Sequence, residues 1–191
     1  MTDKLLDLRQ AIDDIDEELL SLIQKRMKLS QEVMVAKSGV MIYRPGREAA
    51  VFERLCAHAP DLPAQTVVNI WRQIMTASTV HQDRLLNVAV LEGALPTAHW
   101  HFGGLVKLHE CQTMSDLRDK LVDLVPLAIV PADRASGLAN WLFDEAELQI
   151  IARTPFVSGS VLPDCYVIGR EAADPAPIEV TLIALRKTGK T

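Results

Sequence analysis

From Lys4 to Ser38 the chain contains neither glycine nor proline, and its large apolar residues fall at Leu5, Leu8, Ile12, Ile15, Leu19, Leu22, Leu29 and Val33. Spacings of three and four put these side chains on one stripe of an α-helix, because each residue advances about 100° around the axis. Such a helix is about 50 Å long, and its stripe needs burial against something larger than two short helices. The break at Ser38 to Tyr43 is followed by Pro45, which suits the first turn of a second helix because its missing N–H would be unsatisfied there in any case. That helix carries Val51, Phe52 and Leu55 and is closed by Ala59-Pro60. A third helix starts near Asp61 or Pro63 and runs to about Gln82, with Val67, Trp71 and Ile74 on one face.

Beyond Asp83 the pattern changes to short apolar runs: Asn87 to Leu91, Leu105 to His109, Leu127 to Val130, Leu148 to Ala152, Tyr166 to Ile168 and Val180 to Leu185. Helix-like segments, Met114 to Leu124 and Gly137 to Phe143, lie between several of them. Strands alternating with helices predict an α/β domain. The expected fold class is therefore α + α/β, with a helical domain over residues 1–83 and a small α/β domain over 84–191.

Composition narrows the partners. The chain is 49% hydrophobic and 24% charged, enough for a core, and its net charge of −5 supplies no excess of cations for nucleic acid or an anionic membrane. Met1 to Asp7 has no basic start followed by an apolar run, so no signal peptide is expected, and no stretch approaches the ~18 apolar residues of a membrane span. Cys56, Cys111 and Cys165 are widely separated and lack metal-type spacing, which fits a reduced cytoplasm. His99 and His101 would share one side of an extended strand, with no further ligand to complete a metal site. Gly103-Gly104 reads as a turn, since no phosphate-loop lysine follows. Neither metal nor cofactor is expected.

The informative anomaly lies in the first helix. Four residues past Leu22 the stripe lands on Arg26, and three more return it to Leu29, so a guanidinium stands where an aliphatic side chain belongs. A cation out of water needs an anion, since leaving it unpaired costs several kcal/mol. Lys37, eleven residues on, returns to within about 20° of the same face. The alternative is a tertiary ion pair, for instance with Glu48 or Glu53. At the second helix's start, Tyr43-Arg44-Pro45-Gly46-Arg47-Glu48 adds cations in a first turn whose free N–H groups and dipole also attract anions. The third helix ends with Ser78 and Gln82, polar residues continuing an apolar face.

Taken together, Leu8-Arg9-Gln10-Ala11-Ile12-Asp13, Lys25-Arg26 with Lys37, Arg44-Pro45-Gly46-Arg47-Glu48, and Ser78 with Gln82 resemble the successive motifs of the all-helical chorismate mutases, in the family's order and over most of residues 5 to 82. The resemblance implies an intertwined homodimer of three-helix chains that rearranges chorismate, a small dianion, to prephenate in aromatic amino-acid biosynthesis. By the same resemblance Arg26 and Arg47 bind the substrate's carboxylates, and Arg9 reaches a carboxylate from the partner chain. Lys37 and Gln82 flank the ether oxygen of the breaking bond, Glu48 meets the ring hydroxyl, and Ser78 is a supporting polar contact. Arg44 departs from the pattern, since many members carry an acidic residue there; it stands as a further substrate-binding candidate. Arg9 and Arg26 are about 25 Å and 100° apart on one helix and cannot both reach one small molecule, so Arg9 either is a surface residue or serves another subunit's site. An antiparallel second copy would also bury the stripe.

The second half resembles elements of prephenate dehydratase at Asn87 to Leu91, at Leu127 to Gly137 and at Cys165 to Arg170. The family's Thr-Arg-Phe run would fall at Pro163-Asp164-Cys165, without its arginine, and its Glu-Asn-Ser element, near Ala132-Asp133-Arg134, is also not kept. A degenerate dehydratase-like or ligand-binding domain without dehydratase activity is expected. Two other functions compete with the mutase: an isochorismate-pyruvate lyase of the same helical fold, and a non-catalytic dimerisation module for a ligand-binding α/β domain.

Overall fold

A computed structural model of the chain describes residues 2–37, 43–82, 86–134, 137–138, 141, 147–157, 159–170 and 174–176. They divide into two compact units, Met1–Ile42 and Tyr43–Thr191. The first holds one long helix, α1 (Thr2–Lys37), as the absence of glycine and proline predicts. Its stripe residues are about half exposed within the chain, Ile12 and Ile15 each at 57%.

The second unit begins with α2 (Pro45–His58), which has proline in its first turn, and α3 (Ala64–Gln82). There follow β1 (Asn87–Leu91), α4 (Leu95–Phe102), β2 (Lys107–Cys111), α5 (Met114–Asp123), β3 (Leu127–Pro131), β4 (Gln149–Thr154) and β5 (Cys165–Gly169). The strands form one mixed sheet in the order β2-β1-β3-β5-β4. β1 pairs parallel with β2 and β3, while β5 runs antiparallel to β3 and β4. β3 is buried along its whole length, as a central strand covered on both faces must be. Its core face packs with Leu117 and Leu121 of α5 and with Leu138 and Trp141.

The α + α/β expectation holds. The strand expected at Val180 to Leu185 lies outside the described residues, as does part of the helix expected at Gly137 to Phe143. Two local expectations are corrected. β2 begins at Lys107 rather than Leu105, because Gly103 to Leu105 are spent in a turn that leaves Leu105 64% exposed. His99-Trp100-His101 belongs to helix α4, not to an extended strand. α2 touches α3 and β4, and α3 touches α4, so residues 43–82 pack in one unit with the sheet.

Candidate active site

Three of the expected site residues stand on α1. Arg9 is exposed, Arg26 is half-buried, and Lys37 closes the helix with a side chain outside those described. The others belong to the second unit, at the start of α2 and the end of α3.

At the start of α2 the expectation of free N–H groups is overturned. The amides of Gly46 and Arg47 each donate to the Asp174 carboxylate at 2.9 Å, one to each oxygen, and Arg44 Nε lies 3.3 Å from Oδ2. A carboxylate is thus the anion that the helix terminus attracts, supplied by the chain itself. The Arg47 side chain is exposed.

Glu48 turns inward instead. It is 7% exposed, and its Oε1 lies 2.5 Å from Nη2 of Arg72, a residue of α3 that is 1% exposed. The guanidinium stacks 5.5 Å from the Phe52 ring centroid and 5.8 Å from that of Phe156. Burial alone would lower the Arg72 pKa, but the attraction of Glu48 outweighs it and the net direction is upward. Arg72 Nη1 also lies 3.4 Å from Nε2 of the wholly buried His101. An arginine only donates, so Nε2 accepts. The Tyr43 hydroxyl at 2.7 Å therefore donates to the same nitrogen, and Nδ1–H donates to Thr154 Oγ1 at 2.8 Å. Burial, with Arg72 second, holds His101 well below the ordinary imidazole value, so the ring is neutral. Burial, and then Glu48, raises Tyr43 well above the ordinary phenol value. Glu48, Arg72, Tyr43, Thr76, Thr79 and His101 line a cavity with room for about one water. Glu48 Oε2 and Arg72 Nε are buried without a hydrogen-bond partner among the described residues.

On α3, Ser78 is buried and donates to the Ile74 carbonyl at 2.9 Å, while Gln82 ends the helix half-buried. The buried face differs from the expected one: Val67 is buried, but Trp71 and Ile74 are only half-buried, and Val68, Arg72, Met75 and Thr76 complete the set. Arg72, Tyr43, His101 and Asp174 were not foreseen. Arg72 gave the same signal as Arg26, a cation set four past Val68 and three before Met75; reading the stripe one residue early hid it. On α4, His99 is exposed and His101 buried, so the two imidazoles do not pair. Burial pushes the Cys165 thiol up to about 11, which keeps it protonated near neutral pH.

Residues 8–83 match the family model described as chorismate mutase type II. This segment is a chorismate mutase type II domain. Within the mutase domain fall Arg9, Arg26, Lys37, Arg44, Arg47, Glu48, Ser78 and Gln82, and also the unforeseen Arg72. The chain is 27% identical over 158 residues to a bifunctional chorismate mutase/prephenate dehydratase of Aquifex aeolicus, covering 74% of this chain and 42% of that protein. It is 32% identical over 117 residues to the protein of the same name in Neisseria gonorrhoeae, covering 59% and 32%. A chorismate mutase of Methanocaldococcus jannaschii is 37% identical over 57 residues, 29% of this chain and 58% of that one. The chain thus spans less than half the length of the bifunctional relatives, and the Aquifex alignment runs past the mutase domain into the sheet. No solved structure gives a significant match. No described helix is long and apolar enough to cross a membrane.

Proposed function

We propose that this chain is a chorismate mutase, an isomerase of aromatic amino-acid biosynthesis, working as a homodimer in the cytoplasm without metal or cofactor. The observation that carries the reading is the family match over residues 8–83, within which cations sit where the helix pattern calls for apolar residues. A pericyclic rearrangement needs no nucleophile and no proton transfer. It needs the dianion held in its compact reactive conformer and a stabilised negative charge on the ether oxygen.

In this reading Arg26 and Arg47 grip the carboxylates, with Arg9 of the partner subunit completing the set, and Lys37 and Gln82 face the ether oxygen. Ser78 adds a polar contact. Glu48 turns Oε2, the oxygen that Arg72 does not hold, toward a cavity sized for about one water, and meets the ring hydroxyl through that water. Arg44 is already paired with Asp174. Half-exposed apolar residues along all of α1 favour a second copy as the partner of that stripe. The sheet carries no dehydratase chemistry in this reading, since the catalytic runs of that family are missing from the sequence.

The test is Lys37→Ala. Removing a donor aimed at a developing oxyanion costs about 3 kcal/mol, roughly a hundredfold in kcat, so the variant should lose about that much in chorismate consumption and prephenate formation. Near wild-type kcat/KM would remove Lys37 from the site. Release of pyruvate from isochorismate by the wild-type protein, without prephenate formation from chorismate, would establish the lyase instead.

A further inference from the structure

Glu48 raises a question the mutase reading leaves open. A buried ion pair is weak evidence for stability, because desolvating two charges offsets most of their attraction and an apolar pair of similar volume often serves as well. Here the pair is also incomplete: one carboxylate oxygen is fixed on Arg72 and the other is buried with no hydrogen bond among the described residues. A half-satisfied buried carboxylate is destabilised relative to a satisfied one, and a bound hydroxyl or a single water would remove that cost.

The guanidinium is itself held. Its Nη1 meets the neutral nitrogen of His101, which is fixed in turn by Tyr43 and Thr154, and its face is packed by Phe52 and Phe156. The chain Glu48, Arg72, His101, Thr154 therefore links α2 to α3, α4 and β4. Two of its four members lie beyond the mutase domain, in the α/β part to which no role has been attached.

We propose that Arg72 is a positioning residue for the mutase reaction: anchored on His101, it clamps one oxygen of Glu48 so that the other meets the substrate's ring hydroxyl through the one water its cavity admits. This rests on the mutase reading above. It gives the α/β part a task that needs no ligand of its own, namely to buttress Arg72 from behind. A lysine cannot replace the clamp fully, since a single ammonium lacks the planar fork that spans Glu48 and His101 together.

The experiment is a double-mutant cycle in the full chain, using Glu48→Gln, Arg72→Met and both together, with Arg72→Lys run in parallel and thermal unfolding recorded for each. Misplacing a reacting group by about 1 Å costs on the order of tenfold to a hundredfold. Arg72→Met should lower kcat on chorismate by at least roughly tenfold with KM moved less than about threefold, and Arg72→Lys should recover part of the loss. In the Glu48→Gln background, Arg72→Met should cost less than about twofold more, because its effect runs through Glu48. Additive losses, or a loss that follows the fall in unfolding temperature, would overturn the proposal. If Arg72→Met does not fold, the same cycle with Arg72→Lys decides. Should the wild-type protein itself not convert chorismate, it is the mutase reading that fails. The clamp is then read from the crystal structure of Arg72→Lys, where a Glu48 carboxylate unmoved from its wild-type position would refute it.

Discussion

At Gly46 the absence of a side chain is forced by a distant piece of chain. A Cβ there would collide with the carbonyl oxygens of Asp174 and Pro175 and lie 2.9 Å from the Pro175 carbonyl carbon. These are backbone atoms, which cannot swing aside as a flexible side chain can. Gly46→Ala should therefore push residues 174–175 off the start of α2 and loosen the Asp174 cap, lowering the free energy of unfolding by about 1–3 kcal/mol. Urea titration of the two proteins measures this, and equal midpoints would show that the segment does not press on α2. The sequence marked Arg44 to Glu48 as a helix start rich in cations, and that much was legible. The carboxylate that satisfies it was not, because Asp174 lies 128 residues away from Gly46 and no local pattern announces it. Arg72 is a different case: its signal was present in the spacing of Val68 and Met75, and choosing Val67, Trp71 and Ile74 as the stripe concealed it.

Among the elements, those with one strong period were readable. α1 follows from 35 residues without a breaker, and β1 and β3 from apolar runs bounded by turn residues. α4 was missed because its eight residues span little more than two turns, too few for a periodic stripe; Pro96, which fits a first helical turn and cannot donate to a strand ladder, was the one local signal for it. The exposed stripe of α1 also carries a prediction. If a second copy covers it, a charge in its middle is desolvated in the dimer and harmless in the free chain. Ile15→Asp should convert a dimer into a monomer, as measured by light scattering, and remove mutase activity through loss of the Arg9 that the partner lends. A wild-type monomer, or a variant that remains dimeric with full activity, would place something else on the stripe.

For the molecule as a whole, the family boundary near residue 83 and the packing boundary at 42 do not coincide, and the buried cluster on His101 shows why. Tyr43, Glu48 and Arg72 come from one side of the family boundary, His101 and Thr154 from the other, so α2 and α3 share their polar core with the α/β part. This coupling is readable as pH dependence. His101 is held well below its ordinary value by burial and then by Arg72, whose charge faces the ring; Tyr43, the other titratable group against it, is raised far out of range. Below pH about 6.5 the unfolded chain takes up a proton at His101 that the folded chain refuses. The contribution of a neutral His101 is thus complete above that pH and is lost as pH falls toward the folded-state value, at about 1.4 kcal/mol per pH unit. Unfolding free energies of wild type and His101→Gln at pH 7 and pH 5 isolate the effect from the carboxylates, which titrate in both. Wild type should lose more stability than the variant over this interval. Equal losses would mean that the folded protein protonates His101 as readily as the unfolded chain does, and that the link between the helices and the sheet opens in acid.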